Sequence, residues 1–408
     1  MSKNDKQQAL VPRLRFPEFR DAPEWNSFLL EQLKAKRHIA IGRGMVISHD
    51  DMRANPGSYP VYSSSVINDG LMGTFGDYMF DEELISWSID GGGHFFHRPK
   101  HKFSITNVSG YIRILSDDIV CSFLAYQLQQ LHASKTFDYQ QKAHPSVICK
   151  IYSVLIPERA EQQKIADCLG SLDDLIAAEG RKLAALREHK KGLMQQLFPR
   201  EGETRPRLRF PEFRNAGEWV KGALCEFGEI VTGMTPNTKE ARLWDGDILF
   251  ITPTDISEDG KYQFSAARAV RESKGMRVLP PGSVVYTCIA SIGKMALTVR
   301  PSVTNQQINA VIPNKKSLGE FIYYALASLT PWIKTIPASS TLPIINKSEF
   351  SKIEIVQPQD LAEQQKIADC LSSLDALIDA QVKKLDALRT HKRGLMQQLF
   401  PSPEDTGV

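Results

Sequence analysis

Residues 160–199 read AEQQKIADCLGSLDDLIAAEGRKLAALREHKKGLMQQLFP, and residues 362–401 read AEQQKIADCLSSLDALIDAQVKKLDALRTHKRGLMQQLFP. The two copies are identical at 31 of 40 positions. A shorter repeat precedes each copy, because RLRFPEFR stands at 13–20 and again at 207–214. The sequences between these repeats show no comparable identity to each other. The chain therefore alternates segments that differ (variable) with segments that repeat (constant).

We predict four segments from this alternation. They are a first head (1–158), a central helix segment (159–203), a second head (204–361) and a C-terminal helix segment (362–408). A chain of 408 residues is long for one hydrophobic core, which favours more than one domain.

The constant segments carry apolar residues at alternating spacings of four and three, the pattern of a coiled-coil seam. The seam residues are Leu169, Leu172, Ile176, Leu183, Leu186, Leu193, Leu371, Leu374, Ile378, Leu385, Leu388 and Leu395. Glu179 and Lys190 interrupt the first seam, and Gln381 and Lys392 the second. We predict two helices of roughly 35 residues that pack as an antiparallel pair, since neither could bury its seam alone. The polar seam positions should fix the register of that pair.

Both heads read as mixed α/β. Strand-type runs stand at 59–65, 83–89 and 110–115 in the first head, and at 247–252, 282–289 and 308–313 in the second. Helical patterns cover 121–131 and 319–329. The predicted fold class is therefore α+β, with two mixed α/β heads joined and spaced by two long helices.

The composition describes an ordinary globular chain, with 42% hydrophobic and 24% charged residues. We find no apolar run of membrane-spanning length and no signal core at the start, so we expect a cytoplasmic protein. Six scattered cysteines without a paired motif indicate reduced thiols. A net charge of +3 permits a polyanionic partner without requiring one.

Loops of both heads carry amides, hydroxyls, cations and glycines suited to contacts with base edges and phosphates. In the first head these residues are Ser63, Ser64, Ser65, Gly92, His94, Arg98, Lys100, Lys142 and His144. In the second head they are Thr252, Thr254, Asp255, Ser291, Gly293, Lys294, Asn305, Gln306, Gln307, Ser340 and Thr341. These clusters could instead be ordinary solvated loops, and Asn305, Gln306 and Gln307 could simply cap neighbouring strands.

Catalytic and cofactor motifs are missing from the sequence. Gly293-Lys294 lacks the rest of a phosphate-binding loop, and we find no dinucleotide fingerprint, nucleophile elbow or zinc signature. The histidines at 94, 97 and 101 resemble metal spacing, but no cysteine or carboxylate pattern completes a site, so we predict no metal. We expect a non-catalytic chain without catalytic residues.

The whole arrangement resembles the specificity (S) subunit of type I restriction-modification systems. The resemblance rests on the order of heads and helices, the Glu-Gln-x-Lys-Ile helix starts at Glu161 and Glu363, and the Leu-Met-Gln-Gln-Leu-Phe helix ends. YPVYSSSVINDG at 59–70, TPNTKEARLW at 235–244 and VTNQQINAVIP at 303–313 look like the variable-domain signatures of that family.

The resemblance implies that each head is a target recognition domain for one half of a split, asymmetric site in double-stranded DNA. It implies that the helices space the two halves and that two methyltransferase (M) subunits dock on this chain, with restriction (R) subunits joining for cleavage. S-adenosylmethionine, ATP and magnesium would serve those partners, and this chain would bind no cofactor, small-molecule substrate or membrane.

Two other classes of function remain open from the sequence. The chain could be a protein-interaction scaffold with two adaptor heads on a coiled-coil ruler, which its weak net charge favours. A nuclease or methyltransferase fused to a reader is a further possibility, against which the missing cofactor motifs argue. DNA affinity that falls steeply with salt distinguishes a reader from a scaffold.

Overall fold

The computed structural model describes residues 10–90, 93–133, 135, 142–258, 260–273, 275–336 and 343–401. The chain divides into two compact units, one comprising residues 1–178 and 385–408 and the other residues 179–384. Each unit therefore contains one head together with part of each long helix. No helix within the described residues has both the length and the apolar character needed to cross a bilayer.

The first head alternates short helices with strands. Its elements are β1 (Asn26–Leu29), α1 (Leu30–Ala35), β2 (Ile39–Arg43), α2 (His49–Ala54), β3 (Tyr59–Tyr62), β4 (Leu71–Phe75), β5 (Phe80–Ser88), β6 (Phe95–Ile105), β7 (Ser109–Ile114), α3 (Cys121–His132), α4 (Pro145–Ile151) and β8 (Ser153–Ile156). Six strands form one sheet in the order β2-β7-β5-β6-β3-β4, and β1 pairs with β8. The helix α3 covers the sheet with Leu124 and Leu128, which are fully buried against Trp87 and Phe95.

The second head follows the first long helix, α5 (Arg159–Leu197). Its elements are β9 (Val220–Ala223), α6 (Leu224–Phe227), β10 (Gly228–Thr232), β11 (Trp244–Ile251), β12 (Tyr262–Gln263), β13 (Arg268–Val270), β14 (Val284–Thr287), β15 (Met295–Thr298), β16 (Ser302–Thr304), β17 (Ile308–Pro313), α7 (Gly319–Ile333), α8 (Lys347–Ser351) and β18 (Glu354–Gln357). The second long helix is α9 (Leu361–Leu399). The sheets have the orders β10-β17-β14-β15-β12, β13-β11-β16 and β18-β9.

The heads share a four-stranded antiparallel core. Strands β2-β7-β5-β6 of the first head match β10-β17-β14-β15 of the second in order and direction. The shared register places Gly110 of β7 and Asn309 of β17 at equivalent positions, opposite Arg43 and Thr232. Two heads with different sequences therefore have one framework.

The helices α5 and α9 run antiparallel in each unit, as predicted. In the first unit the start of α5 packs against the end of α9, where Ile165 and Leu169 meet Met396 and Leu399. In the second unit the end of α5 packs against the start of α9. Both helices have 39 residues, slightly more than the sequence pattern predicted. The predicted fold class is confirmed.

None of the twelve predicted seam residues is exposed. Leu169, Leu371, Ile378 and Leu385 are buried and the other eight are half-buried. The polar seam positions bond across the helix pair: Lys392 Nζ lies 2.5 Å from Asp173 Oδ1, and Lys190 Nζ lies 2.5 Å from Asp375 Oδ1. Gln381 Nε2 donates to Glu179 Oε2 over 2.6 Å. Such pairs form in only one register, which supports their predicted role.

The repeated RLRFPEFR stretch clamps each head to its helix. Arg15 donates through Nε and Nη2 to both carboxylate oxygens of Glu161, over 2.8 and 2.7 Å. Arg209 makes the same two-pronged contact with Glu363 over 2.7 Å twice. Both carboxylates are 1% exposed. Forked guanidinium–carboxylate pairs hold a fixed orientation, so each clamp sets how its head meets the helix start.

Candidate functional site

Loops of the first head converge on one turn, residues 105–109, which we call the first central turn. Its backbone carbonyls at Ile105, Val108 and Ser109 accept from Met45, Ile89 and Gly44, respectively, over 3.0–3.1 Å. Its Thr106 N–H donates to the Tyr62 carbonyl over 2.8 Å. The ends of β2, β3 and β5 are thereby fixed around one point.

Residues 304–308 form the second central turn with the same bonds. The carbonyls of Thr304, Gln307 and Ile308 accept from Met234, Cys288 and Gly233, and the Asn305 N–H donates to the Ile251 carbonyl. These distances are 2.8–3.2 Å. Backbone bonds require no particular side chain, so this arrangement can be kept while the loops change sequence.

The predicted serine and threonine loops start at equivalent places. Ser63 follows Tyr62 and accepts a hydrogen bond from the Thr106 hydroxyl over 3.1 Å, while Thr252 follows Ile251. Ser64 is half-buried and Ser65 is exposed. In the second head, Asp255 Oδ2 accepts from the Thr252 N–H over 2.8 Å, and the Thr252 and Thr254 hydroxyls are 2.9 Å apart.

A second pair of equivalent loops joins β5 to β6 and β14 to β15. Its end is marked by Gly93-His94 in the first head and by Gly293-Lys294 in the second, with left-handed φ of 84° and 99° at the glycines. The carbonyls of His94 and Lys294 accept from Ser88 and Thr287 over 3.0 and 2.8 Å. Ser291 is exposed within this loop. Gly92 lies outside the described residues.

Lys142 and His144 flank a third connection to this region. Between them, Ala143 donates its N–H to Ile89 over 3.2 Å, and Ile345 makes the equivalent bond to Cys288 in the second head. Lys142 Nζ lies 2.9 Å from Asp90 Oδ1. His144 precedes α4 and its Nδ1 lies 3.0 Å from the Ser146 hydroxyl. Ser340 and Thr341 of the second head lie outside the described residues.

Asn305, Gln306 and Gln307 belong to the second central turn itself. Asn305 Nδ2 donates to Gln307 Oε1 over 3.0 Å, and Asn305 Oδ1 accepts from the Gln307 N–H over 3.1 Å. Gln306 is exposed and its Oε1 accepts from the Thr235 hydroxyl over 2.7 Å. Its amide NH₂ group can donate to a ligand, because within the described part of the chain it has no hydrogen-bond acceptor.

Arg98 and Lys100 of β6 have different surroundings. Lys100 is exposed. Arg98 is 4% exposed and donates to the Ser86 hydroxyl and the Asp69 carbonyl over 2.9 and 2.6 Å. Burial lowers the pKa of this guanidinium to about 10. Its hydrogen bonds lie within the head, so we assign it to the loop it supports.

Sequence reasoning missed one exposed residue beside each central turn. Met45 and Met234 are each 48% exposed, and each follows a glycine. A Cβ on Gly44 would lie 2.2 Å from the Ile105 carbonyl oxygen, and one on Gly233 would lie 2.1 Å from that of Asn305, so both positions require glycine. The Gly-Met dipeptide at 44–45 and 233–234 was the signal available in the sequence.

The histidines at 94, 97 and 101, which have metal-like spacing in the sequence, do not form a cluster of possible metal ligands with one another. Among the described residues, the group found comprises Glu83, His97 and Cys121, without His94 or His101. His97 Nε2 lies 2.6 Å from Glu83 Oε1, and burial raises the pKa of the Cys121 thiol. Burial also lowers the pKa of His94 and His132.

These two heads on repeated helices match a known family. The model of the type I restriction modification DNA specificity domain matches residues 31–188 and 216–390, so the match includes most of both heads and most of both long helices. The chain belongs to this family, and the resemblance to S subunits inferred from the sequence is confirmed.

Individual relatives are consistent with this assignment. The chain is 34% identical over 191 residues to the type I restriction enzyme MjaIX specificity subunit of Methanocaldococcus jannaschii, covering 45% of this chain and 44% of that protein. It is 34% identical over 148 residues to the HindI specificity subunit of Haemophilus influenzae, covering 34% of this chain and 32% of that protein. The aligned stretches thus span less than half of both relatives.

The fold also matches a solved structure. The crystal structure of a type I restriction-modification system S subunit from M. genitalium superposes with a TM-score of 0.62 at 17% identity, covering 96% of this chain and 99% of that chain. At this identity the likeness concerns the fold alone.

Proposed function

We propose that this protein is the DNA-reading subunit of a type I restriction-modification complex. Each head reads one half of a bipartite, asymmetric DNA site, α5 and α9 space the halves, and methyltransferase subunits dock on the chain. Restriction subunits join that assembly. S-adenosylmethionine, ATP and magnesium are bound by those partners, and this chain performs no catalysis.

One observation carries this proposal. The two central turns hold the same loops with the same backbone bonds, while the side chains around them differ. Ser64 and Ser65 follow the strand that bonds to the first turn, whereas Gln306 belongs to the second turn and Lys294 ends the loop between β14 and β15. Two surfaces with one framework and different donors and acceptors are suited to reading two different base sequences, which favours a non-palindromic site.

Adenine-methylation mapping by long-read sequencing tests the proposal. A host carrying this chain with its methyltransferase is compared with a host lacking this chain and with hosts carrying loop variants. We expect a split motif that disappears on deletion. Ser64→Ala with Ser65→Ala should relax one half of the motif, and Gln306→Ala should relax only the other half. A methylome unaffected by deletion while the methyltransferase is active would contradict the proposal.

A salt titration of DNA binding separates the reader from a protein-interaction scaffold. Lys and Arg contacts with phosphates release counterions, so the affinity of a reader for duplex DNA should fall steeply as salt rises. A scaffold should show no DNA affinity to titrate.

A further inference from the structure

The loop between β3 and β4 places two apolar side chains in solvent. Val66 is 57% exposed and Ile67 is 78% exposed, and neither belongs to an apolar cluster of the described residues. The loop is closed below them, because the Ser63 N–H donates to the Gly70 carbonyl over 2.7 Å. We call residues Val66 and Ile67 the apolar tip.

The backbone that follows the apolar tip forms a tight left-handed turn. Asn68 and Asp69 both have φ of 51°, and Gly70 follows with φ of 80°. Asn and Asp adopt this region more readily than other non-glycine residues. The Asn-Asp-Gly sequence therefore favours a sharp turn directly beyond Ile67.

Arg98 supports this turn from within the first head. Its Nη2 donates to the Asp69 carbonyl over 2.6 Å, and its guanidinium lies over the rings of Tyr62 and Phe96 at 3.8 and 4.6 Å from their centroids. A cation this buried is costly unless its partners compensate for lost water. These contacts hold the turn and so fix where Ile67 points.

The equivalent loop of the second head is built differently. It also begins where a strand bonds to the central turn, but Ile256 is 1% exposed. Asp255 draws the loop inward by accepting from the N–H groups of Thr252 and Ala267, each over 2.8 Å. The exposed apolar residue of this second-head loop is instead Phe264, 69% exposed directly after β12, so a pair of exposed apolar residues at the start of the loop is found in the first head and not at Ile256.

We propose that the apolar tip is a wedge that enters the base stack of the DNA half-site read by the first head, with Arg98 as its positioning residue. This rests on the proposed function. Proteins that deform DNA insert one or two apolar side chains between base pairs. The hydroxyls of Ser64 and Ser65, next to the tip, can bond to the flanking backbone. Two side chains are too small for the roughly 800 Å² per partner of a stable protein interface.

The test uses the complex with its methyltransferase and duplexes carrying 2-aminopurine in either half-site, since this base brightens when it is unstacked. Wild type should brighten the first half-site on binding. Ile67→Ser should reduce that signal about tenfold and leave the second half-site unchanged, whereas Ile67→Leu should retain it. Leu115→Ser is the matched control, because Leu115 is 56% exposed in the same head just beyond the other end of β7.

Arg98→Lys supplies the positioning test. It retains the Ile67 side chain but removes the two guanidinium hydrogen bonds, to Ser86 and Asp69, and the planar stacking that position it, so the first half-site signal should also be lost while the second remains. Thermal unfolding of each variant identifies any that fail to fold, and Ile67→Ser, an exposed change, should unfold as wild type does.

The outcomes are distinguishable. Intact DNA binding and methylation with an unchanged first half-site signal in Ile67→Ser would overturn the wedge and leave the proposed function standing. If Ile67→Ser instead lost binding to the methyltransferase subunits and kept the first half-site signal, the tip would be a contact with those subunits. That result would also overturn the wedge. Absence of duplex binding by the wild-type complex would overturn the proposed function itself.

Discussion

Within each head, equivalent backbone hydrogen bonds hold the loops around the central turn, yet the two heads expose different side chains to solvent. The loop after Tyr62 carries Ile67 outward, while the loop after Ile251 buries Ile256. The first head also has seven of the nine histidines, and the second has none. The comparison teaches that the framework depends on backbone bonds and on glycine at Gly44 and Gly233, so the side chains of the other loop residues are free to diverge.

The attachments of the heads to the helices are more alike, with one difference. Trp219 Nε1 donates to Glu363 over 3.2 Å, whereas the equivalent Trp25 Nε1 has no partner within the described residues. Both rings pack edge-on against a phenylalanine at 5.7 Å, Phe123 in the first head and Phe321 in the second. The second clamp therefore has one more hydrogen bond.

Removing the carboxylates of Glu161 and Glu363 should give the largest losses in the free energy of unfolding. Glu161→Ala and Glu363→Ala each leave a mostly buried arginine without its anion, which costs about 3–5 kcal/mol. Glu363→Ala should cost about 1 kcal/mol more, because it also strands the indole N–H of Trp219. Methionine-methyl NMR during denaturant titration reports on each head separately, through Met72 and Met79 or through Met276 and Met295.

Glu18→Ala and Glu212→Ala are the matched controls for these clamp variants. They remove exposed ion pairs to Lys164 and Lys366 on the same helix starts. Both controls should leave the unfolding midpoints unchanged. Equal losses for the two clamp variants would show that the extra indole bond contributes nothing.

A smaller loss of unfolding free energy, similar in both heads, is expected when the tyrosines that bond to the long helices are changed. Tyr126 donates to Asp173 over 2.7 Å, and Tyr324 donates to Asp375 over 2.5 Å. Tyr126→Phe and Tyr324→Phe should each cost about 1.5–3 kcal/mol, because a hydrogen bond to a charged group is lost while the ring stays packed. The same NMR titration should find comparable losses, and a loss in only one head would contradict the equivalence of the attachments.

The long helices could be predicted from sequence because a repeat and a heptad pattern are local signals. The strand at 308–313 and the start of α7 at Gly319 were likewise predicted at the residues observed. The site was not predictable to the same degree. The pairing of β2 with β7 and of β10 with β17 decides which loops meet. Because the sequence does not show which strands pair, it did not indicate that Met45 and Met234 lie beside the central turns. Arg98 gave no sign of burial, because a basic residue in a strand is usually exposed.

The smallest effect expected is a selective response of the first head to acid. Burial lowers the pKa of His94 and His132 below the ordinary value near 6.5, with Asp69 acting in the opposite direction on His94. A lowered pKa favours the neutral form in the folded state, so this stabilisation is present above the ordinary pKa and is lost as the pH falls below it. Lowering the pH from about 7.5 to about 5.5 should therefore reduce the unfolding midpoint of the first head relative to the second. The methionine-methyl titration at both pH values measures this difference, and the double variant His94→Gln, His132→Gln should diminish it. A fall of equal size in both heads would contradict this prediction.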